Sequence, residues 1–319
     1  MSLVSSVLVQ QVHLDIFGVV RKTNVDLKGW VANQNYFLDV DLVPNNFFVR
    51  ASDKDYLKAA LANDCNRMAM AAIESISGVQ LDYRLGKSGA WGVIRAYYAS
   101  FFAIHSIMRM FGISCSQLEQ VHVDKIYEFA SVVGRSGSVN KLEKGFYSIR
   151  ISKSFSEVEF RKYKDSHRDT WGEFLGLLER LIDQSENVVA LVKYKSEMID
   201  ILMSIKRGIT RSRCSEKGNW LSNLRNSVNY QHTHGVWFPY ERRQVAPEYI
   251  ATMANDWLNP VGMLDTRLNR DDIELFFEVV IAINALFREL LVSCSEKVGG
   301  GNKVFGNGSL KLLKTLRAL

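Results

Sequence analysis

Residues 93–111 read VIRAYYASFFAIHSIMRMF, and this stretch decides the fold class. Ile94, Tyr98, Phe101, His105 and Met108 recur at helical spacing and form one apolar stripe. Val93, Tyr97, Ile104, Ile107 and Phe111 form a second. Only Arg95, Ser106 and Arg109 make a narrow polar strip. A helix apolar on nearly every side belongs in the middle of a bundle. His105 sits on an apolar stripe and reads as a hydrogen-bonded core histidine. Four prolines in 319 residues favour long uninterrupted helices over a turn-rich β fold.

Helical patterns continue on both sides. Asp53 or Ser52 is a plausible N-cap for an Ala-, Leu- and Met-rich helix that Gly78 would end near Ser77. Downstream, Ser116 caps a helix to about Val133, and a second runs from Glu157 to Ile182 through Phe160, Trp171 and Leu178. The segment between them is ambiguous, with β-favouring Ile149-Arg150-Ile151. Residues 187–207 form an amphipathic helix closed by Gly208, and Asp271 opens a last long helix with Phe276, Val280, Ile283 and Phe287 on its buried side. Before all of these, Val12/Leu14/Ile16 and Leu38/Val40/Leu42 alternate, so residues 1–50 read as a small β segment. Gly299 to Gly301 form a flexible break, and a basic tail from Ser309 to Leu319 can dock on the body, meet a partner or fray.

The composition, 47% hydrophobic and 23% charged, is that of an ordinary globular protein. A net charge of +6 permits a polyanionic partner without requiring one. Cys65, Cys115, Cys214 and Cys294 lack metal-ligand spacing and read as reduced thiols of a cytoplasmic protein. No targeting segment and no apolar run long enough for a membrane span is evident.

One stretch reads as chemistry: Arg225-Asn226-Ser227-Val228-Asn229-Tyr230-Gln231-His232. Seven residues are about two helical turns, so Arg225 and His232 would share a stripe roughly 10 Å apart. A permanent cation beside a side chain titrating near neutrality suits cleavage of a phosphate ester. The other reading is two exposed polar residues near a turn. A basic connector holding Lys206, Arg207, Arg211, Arg213 and Lys217 precedes the stretch, either as an electrostatic funnel for RNA or as a solvated loop. Arg161 to Arg168 mixes cations with aromatics and makes His167 a weaker candidate on what also reads as a solvated helix face. His232-x-His234 lacks further ligands, so no metal site is expected. There is no phosphate-binding Gly-rich loop and no nucleophile elbow.

The helix from Arg95 to His105, with its tyrosine pair, small residue and following aromatics, resembles the signature helix of HEPN (higher eukaryotes and prokaryotes nucleotide-binding) domains. Arg225 and His232, with six residues between them and Asn226 directly after the arginine, resemble the family's Arg-x4–6-His motif. Eight residues between Arg225 and His234 fall outside it. The resemblance covers about residues 52–297, interrupted by an insertion at about 113–185. It implies a mainly α chain built on a helical bundle with a helical insertion; the small N-terminal β segment, expected to pack on the body, and the tail at 298–319 lie outside the resemblance. The implied activity is that of a metal-independent endoribonuclease, needing no cofactor and acting on RNA as a homodimer. Arg225 would hold the scissile phosphate, His232 would transfer protons, and Asn226 and Asn229 would support them. A toxin or antiviral-defence role with an antitoxin or regulatory partner follows from resemblance only. The competing expectation is a non-catalytic dimerisation or RNA-binding module, or an unrelated helical scaffold.

Overall fold

The computed structural model describes residues 3–20, 24–86, 89–212, 215–237, 247–265, 271–299 and 303–316. The first elements are α1 (Leu3–Val7), two short 3-10 turns, α2 (Leu27–Ala32), β1 (Tyr36–Phe37) and β2 (Asn46–Ala51). Two long helices follow, α3 (Lys54–Gly86) and α4 (Gly89–Met110). Next come β3 (Ile113–Leu118), α5 (Gln120–Val132), β4 (Gly145–Ile151), β5 (Glu157–Tyr163) and α6 (Ser166–Ser185). The chain then runs through α7 (Val192–Ile209), α8 (Trp220–Gln231), α9 (Pro247–Met253), α10 (Asp272–Val298), α11 (Lys303–Gly306) and α12 (Ser309–Thr315).

The fold is mainly helical, and α4 lies at its centre. Helices α3, α6, α8 and α10 all pack against it. Its small residues Gly92, Ala96, Ala99 and Ala103 are buried, which lets neighbouring backbones come close. Of the strip read as polar, Arg95 is exposed, but Ser106 and Arg109 are fully buried. Arg109 donates to Asp64 on α3 at 2.7 Å and to the carbonyl of His105 at 2.9 Å. His105 Nδ1 lies 3.1 Å from the same guanidinium. Burial, then the Arg109 charge, holds His105 well below the ordinary histidine pKa, so it is a neutral core residue.

Gly78 does not end α3. The helix runs on past it, and a Cβ there would come within 2.8 Å of the Arg95 guanidinium, so this glycine serves helix contact. Asp271 does cap α10, accepting from the backbone N–H groups of Ile273 and Glu274, and Gly299 follows its end at φ 76°.

The β content is distributed differently from the sequence expectation. Residues 3–18 hold one short α-helix and two 3-10 turns: Val12 and Ile16 are buried in the core on irregular or 3-10 backbone, not on a strand. Nor is 113–185 a purely helical insertion, since it supplies β3, β4 and β5. These join the two N-terminal strands in one antiparallel sheet, ordered β1-β2-β5-β4-β3. Phe47 opposes Phe160 across β2 and β5, with rings stacked at 4.8 Å. The N-terminal segment and the middle of the chain therefore make a single structural unit. Alternating residues in β5 read equally well as a helix until β2 and β4 are there to pair with them.

The sheet is tied to α6 by Arg150, whose Nη2 reaches both carboxylate oxygens of the buried Glu173 at 3.0 Å. Tyr163 donates to the same carboxylate. At the end of α4, Gly112 has φ +76°. A Cβ there would stand 2.5 Å from the His13 ring and 2.8 Å from the carbonyl oxygen of Ile151. Gly112→Ala is expected to cost about 2–4 kcal/mol, from positive-φ strain and overpacking together. Gly134→Ala, also at positive φ but in open space, should cost only about 1 kcal/mol. Urea denaturation of the two variants checks the difference.

The tail docks on the body. Phe305 stacks on Phe17 at 4.5 Å, Leu313 is buried, and Ser309 donates to Asn66 from both backbone and hydroxyl. No helix among the described residues is long and apolar enough to cross a membrane.

Candidate functional site

Arg225 lies on the face of α8 that packs on α4, and is 7% exposed. Its guanidinium carbon sits 4.8 Å from the centre of the Tyr97 ring and 5.6 Å from that of Tyr98. The tyrosine pair thus forms a cation–π floor for this arginine. Among the described residues no carboxylate lies within ion-pair distance of Arg225, and its buried Nε–H has no hydrogen-bond partner. An uncompensated cation in such a place carries a large desolvation cost, which an anionic ligand would offset.

Arg225 opens onto a polar cleft of about 520 Å³. One wall is α8 and the residue before it: Asn219, Ser222, Asn223, Asn226 and Tyr230. The other is the start of α6: Ser166, His167 and Arg168, with Asp165 ahead of them. Asp165 caps that helix, accepting from the backbone of Arg168 at 2.6 Å, while Asp169 accepts from the N–H groups of Lys164 and Asp165. The capped first turn fixes where His167 stands. A helix N-terminus with Arg168 and Arg225 beside it makes the cleft suited to anions.

His167 Nδ1 is 2.8 Å from the hydroxyl of Tyr97, which also accepts from Trp171 Nε1 at 3.3 Å. Burial raises the Tyr97 pKa although hydrogen bonds from Ser222, Trp171 and Arg225 act against the rise. The phenol therefore keeps its proton. Burial, then the charge of Arg225, lowers the pKa of His167 below the ordinary histidine value. A neutral imidazole results at pH 7. With Nδ1–H donating to Tyr97, Nε2 carries a lone pair and can take a proton. With the Tyr97 hydroxyl donating to Nδ1, Nε2–H can give one.

The structure brings Arg225 and Asn226 together with His167, not with His232. Helix α8 ends at Gln231, and His232 is its C-cap in the left-handed conformation at φ 53°. It therefore leaves the stripe expected from helical spacing. Its exposed ring stacks on Trp237 at 5.3 Å, and it does not line the cleft. Asn229, half-buried, does not line it either. His234 Nε2 lies 3.3 Å from the Ser227 hydroxyl.

The basic connector is partly engaged elsewhere. Lys206 pairs with Glu179 at 2.8 Å, and Arg211 pairs with Asp272 at 3.2 Å and lies over Trp220. Arg207 and Lys217 are exposed, and Arg213, like Cys214, lies outside the described residues. None of the described four lines the cleft. His167 reads weakly from the sequence because its partner Tyr97 is 70 residues away. The usable signal was a buried tyrosine whose hydroxyl needs polar company.

Comparison of the chain with protein-family models, with curated proteins and with solved structures finds no match.

Proposed function

We propose that this chain is a metal-independent endoribonuclease of the HEPN type, working as a homodimer. The observation that carries the reading is Arg225: a buried cation, held on two tyrosine rings, facing a polar cleft and forming no ion pair among the described residues. A phosphodiester supplies the missing negative charge, and the fork geometry of arginine matches its oxygens. Arg168 and the amide of Asn226 add donors at the rim.

Cleavage then follows ordinary acid–base chemistry. His167 takes the proton of the ribose 2′-hydroxyl, and the 2′-oxygen attacks phosphorus. Arg225 stabilises the charge that builds on the non-bridging oxygens. The bond to the 5′-oxygen breaks, and that oxygen receives a proton from an acid. The products are a 2′,3′-cyclic phosphate and a 5′-hydroxyl. His232 is assigned the role of the acid, presented from its exposed position beyond α8 to the cleft of a second protomer. A toxin or antiviral-defence setting in the cytoplasm, with a restraining partner, belongs to the same proposal.

His167→Gln and His232→Ala are each expected to slow cleavage of a structured RNA in EDTA at least about a hundredfold. Mixing the two inactive variants should restore activity, because a mixed dimer rebuilds one cleft with both histidines intact. Full activity in His232→Ala would remove that residue from the reaction, and an inactive mixture would contradict the shared cleft. RNA binding by every form with cleavage by none would favour a binding module. The acidic limb of the pH–rate profile should lie below the ordinary histidine value, the rate rising with pH as His167 loses its proton.

A further inference from the structure

Tyr97 stands where the two halves of the Arg225 cleft meet. It is fully buried on α4 and does not itself line the cleft. Its ring lies under Arg225, with 4.8 Å from the ring centre to the guanidinium carbon, and its hydroxyl lies 2.8 Å from His167 Nδ1. The hydroxyl is itself pinned, since Trp171 Nε1, a group that can only donate, reaches it at 3.3 Å. The His167 ring has little room to turn, because Phe101 packs on it with 4.6 Å between ring centres. With Nδ1 held by a buried hydroxyl, Nε2 is the nitrogen left to the cleft that His167 lines.

We propose that Tyr97 is the positioning residue of this site: its hydroxyl orients His167 and accepts from Nδ1–H once His167 has taken a proton, while its ring holds Arg225. The role in cleavage rests on the ribonuclease reading; the coupling of Tyr97 to His167 does not. When the 2′-hydroxyl proton moves to Nε2, the imidazolium carries an N–H on both nitrogens and needs an acceptor for the inward one. A lone pair of the Tyr97 oxygen is the acceptor in reach, and the phenol keeps its own proton throughout. A hydrogen bond from a charged donor is roughly twice as strong as one between neutral groups, so the hydroxyl favours the protonated ring over the neutral one. Proton uptake at Nε2 is helped by the difference. Because one buried side chain makes both contacts, the base and the phosphate clamp are held in register with each other.

Tyr97→Phe tests it, because phenylalanine keeps the ring under Arg225 and removes only the hydroxyl. Nuclear magnetic resonance of the full chain reads the His167 ring whether or not the protein is active, its signals identified by their absence in His167→Gln. The His167 titration midpoint should fall by about half a pH unit or more in Tyr97→Phe. Arg225 from α8, Asp165 and Arg168 at the start of α6, and neutral His105 on α4 also surround this ring, and the variant leaves them in place. In cleavage, kcat should fall at least about tenfold, with KM for RNA within about twofold of wild type. The acidic limb of the rate profile should move to lower pH along with the midpoint. Added to His167→Gln, Tyr97→Phe should cause no further loss. An unchanged His167 midpoint, or losses that simply add in the double variant, would overturn the proposal. No cleavage by wild type, with the midpoint still shifted in Tyr97→Phe, would instead sink the ribonuclease reading and the role in cleavage with it, while the coupling stands.

Discussion

Replacing Arg225 with glutamine is expected to reduce RNA cleavage by about a hundred- to a thousandfold, the usual effect of removing one preorganised stabiliser of transition-state charge. Glutamine keeps hydrogen-bonding capacity and much of the length, but it removes the only cation that α8 places over the Tyr97 and Tyr98 rings. The folded state should survive the change, because Arg225 forms no ion pair among the described residues and its Nε–H is already unsatisfied. Far-UV circular dichroism and the urea midpoint should therefore stay close to wild type while the rate falls. Arg225→Lys separates charge from shape: lysine keeps the charge but cannot present a planar fork to a phosphate, so cleavage should remain well below wild type. Fluorescence anisotropy with an uncleavable RNA reads the binding part of the loss.

The second large effect is on stability. Asp64→Asn is expected to destabilise the fold by about 3–5 kcal/mol, because it leaves the Arg109 guanidinium buried without its counter-charge. Arg109 is wholly buried and Asp64 nearly so, and Arg67 also pairs with Asp64. The double variant Asp64→Asn with Arg109→Met should lose less than the sum of the two single changes, since no unpaired charge remains. Acid has a related effect. Burial pushes the Asp64 pKa up, but the charges and hydrogen bonds of Arg109 and Arg67 outweigh it and hold the carboxyl below its ordinary value. A pKa depressed in the folded state gives stability that is fully present above the unfolded-state value. That stability drains away as pH falls from there through the folded-state value. Urea midpoints of wild type should accordingly drop below about pH 4, and the variant should show a shallower drop.

Much of the helical architecture could be read from the chain because its signals are local. The all-round apolar pattern of residues 93–111 places α4 in the centre, where it is. Asp271 carries cap chemistry that needs no tertiary context, and it caps α10. The sheet was obscured for the opposite reason. Strand β5 has no strand identity apart from β2 and β4, and its pairing with β2 joins residues more than a hundred positions apart. Residues 12–16 alternate like a strand, yet their apolar side chains fill the core from 3-10 and irregular backbone.

The candidate site was half legible. Arg225 stands out by spacing and charge, and its place over a tyrosine pair ties together two stretches that each look weak alone. His232 was expected on the same stripe because helix geometry was extended one residue past where the helix stops. Left-handed backbone at a C-cap is a frequent ending for a helix, and it turns the side chain away. His167 could not be found from neighbours in sequence, since its meaning depends on the hydroxyl of Tyr97, 70 residues away on α4.

The most direct test of the account is the chemistry of the RNA ends left by purified protein in EDTA, read by mass spectrometry on a substrate with a single scissile site. The account predicts a 2′,3′-cyclic phosphate and a 5′-hydroxyl from wild type, no product from Arg225→Gln, and no cleavage when the ribose at the site is 2′-deoxy. A 5′-phosphate with a 3′-hydroxyl, or equal cleavage of the 2′-deoxy substrate, would contradict it.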